Sequence, residues 1–456
     1  MKELLISSLA GIVVLVLDIV NLRKLVFPFL LIALAGLAAC SFLDWGQNEN
    51  PFGHGMLVFD NLALAFAGVL SLTTFIWLVL FQESIRTISK GVDLQVLVIF
   101  SLCGAIILAA FQNMVMLFLG IEILSIPLYV MAASQRGNLL SNEAGFKYFF
   151  MGAFASSLLL FGIALVYGTT GTFQLSEIAA SLGAMNSYPA ILNAGLILIL
   201  AGFAFKAGLA PFHFWTPDVY QGSPTPFTAL MATMVKGAAF VAMFKFFSAV
   251  SGVENFYDVM IWIAAITLIV SNVVALWQND VKRLLAYSSI SHAGFMLGAI
   301  LFASTSSPHA LLYYVATYSL ASLASFAVLQ YVSNYTDETV TYDSFKGLVR
   351  RNPVLAGTMT LALLSMAGIP PLSGFMAKYL VITGVIQGGA IWLAVIMILM
   401  SVVSVFYYLR LIVCMFTPLE NAGRMVMMRS QTWTLVIISF LMIVLFFCAG
   451  LLSYMF

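Results

Sequence analysis

Four ionisable residues lie well inside apolar stretches of this 456-residue sequence: Glu122, Lys206, Lys236 and Lys378. A charged side chain in hydrocarbon is energetically unfavourable, so it faces the protein interior or water and by default marks a path for ions or protons. A lone buried carboxylate is protonated or paired, and we expect its partner to be Lys206 on a neighbouring helix. These residue types predict the transfer of protons or cations inside a membrane.

Polar residues between the lysines extend this pattern. His213 follows Lys206, His292 lies among Ser288, Ser289 and Ser291, and tyrosines recur from 313 to 318. Imidazoles and hydroxyls can hold waters through which protons hop, and we favour this role for His213 and His292. For the serines we favour ordinary hydrogen bonding between helices.

Three more basic residues lie in apolar segments. Lys147 is more than one helical turn inside its predicted helix. Arg410 is near a predicted helix end, where a long side chain can reach the interface. The role of Lys245 stays open on the sequence.

Composition limits the class of protein. Hydrophobic residues make up 62% of the chain and charged residues 8%, with a mean hydropathy of +1.06, whereas soluble domains are about 25% charged. The net charge of +1 argues against nucleic-acid binding. The four cysteines, Cys40, Cys103, Cys414 and Cys448, are scattered, so we expect no metal or cofactor site in this chain.

The apolar pattern predicts an all-α polytopic membrane protein. Windows of about 20 residues, each able to cross a bilayer as a helix, lie at 4–21, 25–43, 62–81, 93–111, 113–134, 143–168, 190–211, 225–249, 256–277, 281–304, 308–333, 354–384, 390–415 and 431–455. We therefore expect 14 transmembrane helices, called spans 1 to 14.

The basic residues test this count, because loops alternate sides and Lys and Arg accumulate on the cytoplasmic side. One side collects Arg23, Lys24, Arg86, Lys90, Arg136, Lys282, Arg283, Lys346, Arg350, Arg351, Arg424 and Arg429. The other side has only Lys2. This sorting favours an even number of spans, with both termini on the outer side.

Two predicted spans are discontinuous. Span 7 is interrupted at Pro211, with Pro217 and Pro224 soon after, and span 12 is interrupted by the GIPPLSG sequence at 368–374. Irregular backbone in a bilayer survives only where it is buried in protein or lines a wet cavity. Two broken helices five spans apart, each with a lysine, are typical of repeated transporters.

An odd repeat length makes the two units antiparallel, so spans 4–8 and 9–13 are expected to form two inverted five-helix repeats. The chain then divides into an N-terminal three-helix segment at 1–92, the first repeat at 93–250, the second repeat at 251–416 and a C-terminal helix at 417–456.

Four motifs resemble a known family. They are FKAGLAPFHFWTPDVYQGSPTP with the following MVKG, FKYFFMGAFASSLLLFGIALVYGTTGT, WQNDVKRLLAYSSISHAGF and MAGIPPLSGFMAK. Together they resemble the antiporter-like membrane subunits of proton-translocating NADH:quinone oxidoreductase, respiratory complex I, within the wider Mrp-type cation/proton antiporter family. Two features resemble the subunit N branch of this family. Residue 378 is lysine, where subunit M is expected to have glutamate, and the chain ends at Phe456 without the long lateral helix expected of subunit L.

The resemblance implies roles for individual residues. Glu122 and Lys206 correspond to a glutamate–lysine pair, Lys236 to a central lysine, and Lys378 to the terminal proton-carrying group. Lys147 matches a further lysine and, with His213 and His292, is expected to serve a secondary proton path.

The resemblance also implies the setting. We expect a proton-pumping subunit of an NADH:quinone translocase, with no redox centre of its own and with flavin, iron–sulfur clusters and quinone in partner subunits. Expected partners are the lipid bilayer and other membrane subunits, especially antiporter-like subunit M and the small subunits K and J. The expected location is a bacterial inner (plasma) membrane, with both termini on the periplasmic side. An Mrp-type Na⁺/H⁺ antiporter subunit is the alternative.

Overall fold

Helices account for nearly all of the chain in the structure, which is a computed structural model. It describes every residue except 47–50, 89–91, 186, 302–306, 336–338, 420–422 and 453–456. Lys90, Phe456 and the predicted span ends at 304 and 455 therefore lie outside the described residues.

The first part of the chain contains seven helices and one small hairpin. The helices are α1 Lys2–Ile19, α2 Val26–Leu43, α3 Asn61–Ile88, α4 Asp93–Ala110, α5 Met114–Ala132, α6 Leu139–Thr170 and α7 Leu175–Gly183. Strands β1 Pro51–Phe52 and β2 Leu57–Val58 pair antiparallel between α2 and α3, and the apolar pattern did not predict them.

The remaining helices follow in two groups. The first group is α8 Ala190–Ala207, α9 Trp215–Gly222, α10 Thr225–Leu230, a π-helical turn Met231–Val235, α11 Lys236–Ala249, α12 Glu254–Ala275 and α13 Val281–Leu301. The second group is α14 Ser307–Ser333, α15 Leu348–Arg351, α16 Pro353–Ala367, α17 Ser373–Gln387, α18 Ile391–Phe416 and α19 Arg429–Leu452. Single 3₁₀ turns occur at Arg23–Leu25 and Tyr342–Phe345.

Twelve helices in the described part of the chain are long and apolar enough to cross a membrane. The predicted span 1 corresponds to α1, which also carries Lys2, Glu3 and Asp18. Predicted span 12 is divided into α16 and α17, each 15 residues long. The fold class is confirmed as helical and membrane-spanning, while the count of fourteen stays a prediction.

The most enclosed helices contain the predicted chemistry. In the spans Thr225–Ala249 and Val281–Leu301, 94% of the residues in an apolar 18-residue stretch are buried inside the protein. The corresponding share for Leu139–Thr170 is 33%. Lys236 and His292 belong to these two enclosed spans, so both lie in the centre of the bundle rather than on its lipid-facing surface.

Both predicted interruptions are present, and they have the same backbone form. Helices α8 and α16 each end at a glycine with positive φ, Gly208 at +72° and Gly368 at +85°, a conformation that favours glycine. The next N–H then donates back into the helix, from Leu209 to the carbonyl of Ala204 at 2.8 Å and from Ile369 to that of Leu364 at 3.1 Å. A cis proline bond follows in each case.

Two further contacts have matching positions in the two halves of the chain. An antiparallel bridge joins Asn113 to Gln174 at the start of α5, and another joins Asp280 to Thr341 at the start of α13, across the same number of residues. This spacing agrees with a repeated architecture. The inverted repeats and the boundaries at 92, 250 and 416 stay predictions.

We expect Gly374→Ala to disrupt the second interruption. A Cβ at Gly374 would lie 1.8 Å from the carbonyl oxygen of Ser365, whereas a Cβ at Gly384, in the same helix, meets no atom within 4 Å. Overpacking against backbone should destabilise the protein by about 3 kcal/mol or more. Native gels of solubilised membranes should show less folded Gly374→Ala protein, with Gly384→Ala as the matched control. Equal amounts of the two variants would contradict the described packing.

Candidate functional site

Lys206 is buried in the last turn of α8, with 6% of its surface exposed. Its Nζ donates to Ser125 Oγ at 2.5 Å and to the hydroxyl of Tyr148 at 3.4 Å. The rings of Tyr129 and Tyr148 lie 6.0 and 5.5 Å from the ammonium, within the range of cation–π attraction. Helices α5 and α6 thus enclose this lysine with hydroxyls and aromatic faces.

Glu122 lies on α5 one turn before Ser125 and is partly buried. The predicted pairing with Lys206 is not direct: these two described residues form no ion pair within 4 Å, and Ser125 holds the ammonium instead. One carboxylate oxygen of Glu122 is buried without a hydrogen-bond partner.

Lys236 begins α11 directly after the π-helical turn Met231–Val235. Such turns occur often at functional sites, because they change the direction of side chains on a helix. The buried Nζ donates to both the carbonyl and the hydroxyl oxygen of Ser289 on α13, each at 2.6 Å. Among the described residues, no carboxylate forms an ion pair with Lys236.

Lys378 follows the second interruption, on α17, and is also buried. Its Nζ donates to the carbonyl of Ala367, the last residue of α16, at 2.9 Å and to Ser401 Oγ at 2.9 Å. Carbonyls at a helix end have no intrahelical partner and carry the negative end of the helix dipole. The ring of Phe295 lies 5.0 Å from the same ammonium.

His292 lies on α13, one turn beyond Ser288 and Ser289. Its Nδ1 is 2.8 Å from the hydroxyl of Tyr314, and its Nε2 is 3.4 Å from that of Tyr408. His213, in the first interruption, is 5% exposed and its Nδ1 has no hydrogen-bond partner. The two predicted histidines thus lie in different surroundings, and His292 has a hydroxyl partner at each ring nitrogen.

Lys147 is held by carboxylates and is 38% exposed. Its Nζ lies 2.7 Å from Glu143 and 2.8 Å from Asp218, and Asp218 also pairs with Arg283 at 2.7 Å. This ion cluster joins α6, α9 and α13. Asp218 was not among the predicted site residues, although the sequence contains one signal for it: Asp218 follows Gly208 at the same spacing as Lys378 follows Gly368.

The two remaining basic residues have structural partners. Lys245 forms an ion pair with Asp60 at 3.3 Å, which ties α11 to the start of α3. Arg410 lies over the ring of Tyr342 at 4.3 Å. In the described part of the chain, no three His, Cys, Asp or Glu residues form a group that could hold a metal ion.

Known proteins are similar to this chain over most of its length. The family described as "NADH:quinone oxidoreductase/Mrp antiporter, TM" matches residues 112–406, which include Glu122 and the three buried lysines of the site. The NADH-quinone oxidoreductase subunit N of Flavobacterium johnsoniae is 41% identical over 438 residues, covering 93% of each chain. That of Cytophaga hutchinsonii is 39% identical over 427 residues, covering 92% of this chain and 91% of the relative.

The chain belongs to the NADH-quinone oxidoreductase subunit N family. A subunit of respiratory complex I from Thermus thermophilus, solved with bound aureothin, has a TM-score of 0.86 and 33% identity, covering 99% of this chain and 98% of the other. The predicted resemblance is therefore confirmed. This member of the subunit N family is a multi-span membrane protein in which Glu122, Lys206, Lys236 and Lys378 all fall inside the matched region.

We expect Asp218→Asn to destabilise the protein, because Lys147 and Arg283 would lose their shared carboxylate and face each other as like charges. The loss should be about 1–2 kcal/mol, seen as a lower midpoint in thermal unfolding of the solubilised protein.

Asp343→Asn is the control for that change. Asp343 pairs with Lys346 at 2.8 Å in an exposed turn, where its hydrogen bond and charge raise the pKa of Lys346. An exposed pair contributes about 1 kcal/mol at most. If both variants unfold at the same midpoint, the ion cluster does not stabilise the fold.

Proposed function

We propose that this chain is an antiporter-like proton-pumping subunit of the membrane arm of respiratory complex I, which moves protons when electron transfer from NADH to quinone occurs in other subunits. Its subunit N relatives support membership of that complex. The proposed mechanism rests on three buried lysines, Lys206, Lys236 and Lys378. Among the described residues, their ammonium groups are bound by hydroxyl and carbonyl oxygens rather than by direct ion pairs. A charged group in such a site depends strongly on nearby charge, so a small electrostatic change can alter its protonation.

In this scheme Lys236 is loaded from the cytoplasmic side, by way of Lys147 and the interruption that contains His213. The Glu122/Lys206 pair sets the proton affinity of Lys236, since a nearby negative charge favours the ammonium and a nearby positive charge disfavours it. The proton then passes by His292 to Lys378 and leaves on the opposite face. By linkage, whatever moves Glu122 relative to Lys206 must also respond to the protonation of Lys236.

The proposal extends to the surroundings of the chain. Subunit M and the small subunits K and J are its proposed neighbours, and flavin, iron–sulfur clusters and quinone belong to partner subunits. The membrane is the bacterial inner membrane. In this proposal both termini lie on the periplasmic side, because the basic residues gather in the loops that would then be cytoplasmic.

An Mrp-type antiporter would use the same lysines, and the matched family includes both kinds of protein. Purification separates them. A tagged chain isolated in mild detergent from its native membrane should carry flavin and iron–sulfur absorbance and NADH:quinone reductase activity. Isolation of an intact assembly without flavin and iron–sulfur proteins would favour the antiporter.

We expect Lys378→Arg to block proton transfer through this subunit, because a guanidinium keeps the charge but does not readily release a proton. The measurement is NADH-driven proton uptake in membrane vesicles, normalised to assembled complex. Lys245→Arg is the matched control, since Lys245 is also buried but its ion pair with Asp60 needs only a positive charge. Normal pumping by Lys378→Arg would show that the proton of Lys378 never leaves.

We also expect Glu122→Ala and Lys206→Ala each to lower the number of protons moved per electron, because either change removes one member of the pair that sets the affinity of Lys236. The ratio is measured in vesicles from proton uptake and NADH oxidation recorded together. A full ratio in both variants would remove the pair from the mechanism.

A further inference from the structure

His292 belongs to a continuous hydrogen-bonded chain of four buried side chains, which we call the relay chain. Its members, in order, are Ser288, Tyr408, His292 and Tyr314. Ser288 Oγ lies 2.5 Å from the hydroxyl of Tyr408, which lies 3.4 Å from His292 Nε2, and His292 Nδ1 lies 2.8 Å from the hydroxyl of Tyr314. The chain joins α13, α18 and α14. The imidazole is at its centre, with one hydroxyl on each nitrogen.

The two ends of the relay chain lie close to the lysines. Ser288 directly precedes Ser289, which accepts both hydrogen bonds of Lys236. At the other end, Tyr314 lines a small cavity of about 10 Å³, whose wall includes Ala377, the residue before Lys378. This volume is about what one water molecule needs. The relay chain therefore connects the neighbourhood of Lys236 to that of Lys378.

Each member can act in both directions. A hydroxyl donates one hydrogen bond and accepts others, and a neutral imidazole donates from one nitrogen and accepts at the other. When Tyr408 donates to Ser288, the Ser288 hydroxyl can turn to the sulfur of Met366 at 4.0 Å. The Ser288 end of the relay chain therefore has an acceptor in either orientation.

We propose that Tyr408 is a proton-relay residue, which passes protons between Ser288 and His292 and so completes the route from Lys236 to Lys378. This inference rests on the proposed function and names the residues of that route. A proton that arrives at Ser288 Oγ displaces the serine proton to the oxygen of Tyr408, whose own proton moves to His292 Nε2. The proton on Nδ1 passes to Tyr314, and Tyr314 releases its proton to the cavity.

Every member gains one proton and loses one in this transfer, which reorients the hydroxyls and moves the ring proton of His292 from Nδ1 to Nε2. The starting arrangement returns when the hydroxyls rotate and the imidazole ring turns so that its protonated nitrogen again faces Tyr314. No oxidant, reductant or other reactant is required.

The test compares tyrosine-to-phenylalanine variants, which keep the ring and remove the hydroxyl. Tyr408→Phe and Tyr314→Phe interrupt the relay chain on either side of His292. Tyr313→Phe is the matched control. Tyr313 directly precedes Tyr314 on α14 and is equally buried, but its hydroxyl donates outside the relay chain, to the carbonyl of Leu445 at 2.9 Å. Each purified complex is placed in proteoliposomes, and the initial rate of NADH-driven proton transport is divided by the amount of assembled complex.

We expect Tyr408→Phe and Tyr314→Phe each to lower the transport rate by about tenfold or more, since a positioned proton-transfer group contributes at least that much. Transport by these variants should also slow further in D₂O relative to the unmodified complex, because proton transfer then limits the rate. Tyr313→Phe should stay within about twofold and keep the ordinary solvent isotope effect. If Tyr408→Phe does not assemble, the transport rate and isotope effect of Tyr314→Phe decide whether the relay chain transfers protons.

Normal transport by Tyr408→Phe would overturn the relay, as would an equal loss in Tyr313→Phe, which would mean that any missing buried hydroxyl disables the protein. The Lys378→Arg variant separates the two proposals. If Lys378→Arg blocks pumping while Tyr408→Phe does not, the relay fails and the proposed function stands; if Lys378→Arg also pumps normally, the proposed function itself fails.

Discussion

An ammonium group inside a bilayer needs oxygen atoms around it, and these come from side chains or from backbone that has left regular helical hydrogen bonding. Each deep lysine of this subunit lies where a helix departs from the α form. Lys206 is in the last turn before the first interruption, Lys236 follows a π-helical turn, and Lys378 contacts the freed carbonyl of Ala367. The irregular backbone and the buried charges therefore depend on each other.

The two interruptions share a backbone form but differ in charge. At the same spacing from its glycine, the first carries Asp218 and the second carries Lys378. Asp218 is fixed between Lys147 and Arg283 by short ion pairs, whereas the polar contacts of Lys378 with described residues are with neutral oxygens, beside an aromatic ring. An acid held by two cations stays ionised, while an amine without a counter-ion responds to small electrostatic changes. One backbone arrangement thus positions a fixed ion pair in the first half and, in the second, the buried amine that we propose as an exchangeable proton site.

Local sequence predicted the features that depend on local chemistry. Charges in apolar runs identified Lys206, Lys236 and Lys378, and proline and glycine identified both interruptions, because each signal is contained in a short segment. Contacts between helices far apart in sequence were not accessible in this way. Tyr408 meets Ser288 across more than a hundred residues, and no spacing rule links positions so distant.

The same limit explains the pairing of Glu122. Sequence reasoning placed Glu122 and Lys206 at similar depth on neighbouring helices, and depth alone suggested a direct ion pair. The rotation of α5 decides instead which side chain meets the ammonium, and it presents Ser125. The alignment of Asp218 with Lys378 was readable in the sequence, but only by comparing the two interruptions residue by residue.

The first half also contains a rigid connection between its ion cluster and Lys206. Lys147 adjoins Tyr148 on α6, and the ring of Tyr148 stacks on Trp215 of α9 at 4.6 Å with an interplanar angle of 11°. Trp215 Nε1 donates to the carbonyl of Phe205 at 2.8 Å, one residue from Lys206, and the Tyr148 hydroxyl reaches the ammonium itself. A change of charge at Lys147 or Asp218 that moves α6 against α9 would therefore also move the Tyr148 hydroxyl, which is one of the oxygen atoms around Lys206. Because close-packed contacts of this kind have few alternative arrangements, they offer a physical path by which the ion cluster could influence Lys206, which is the coupling that the proposed pump requires.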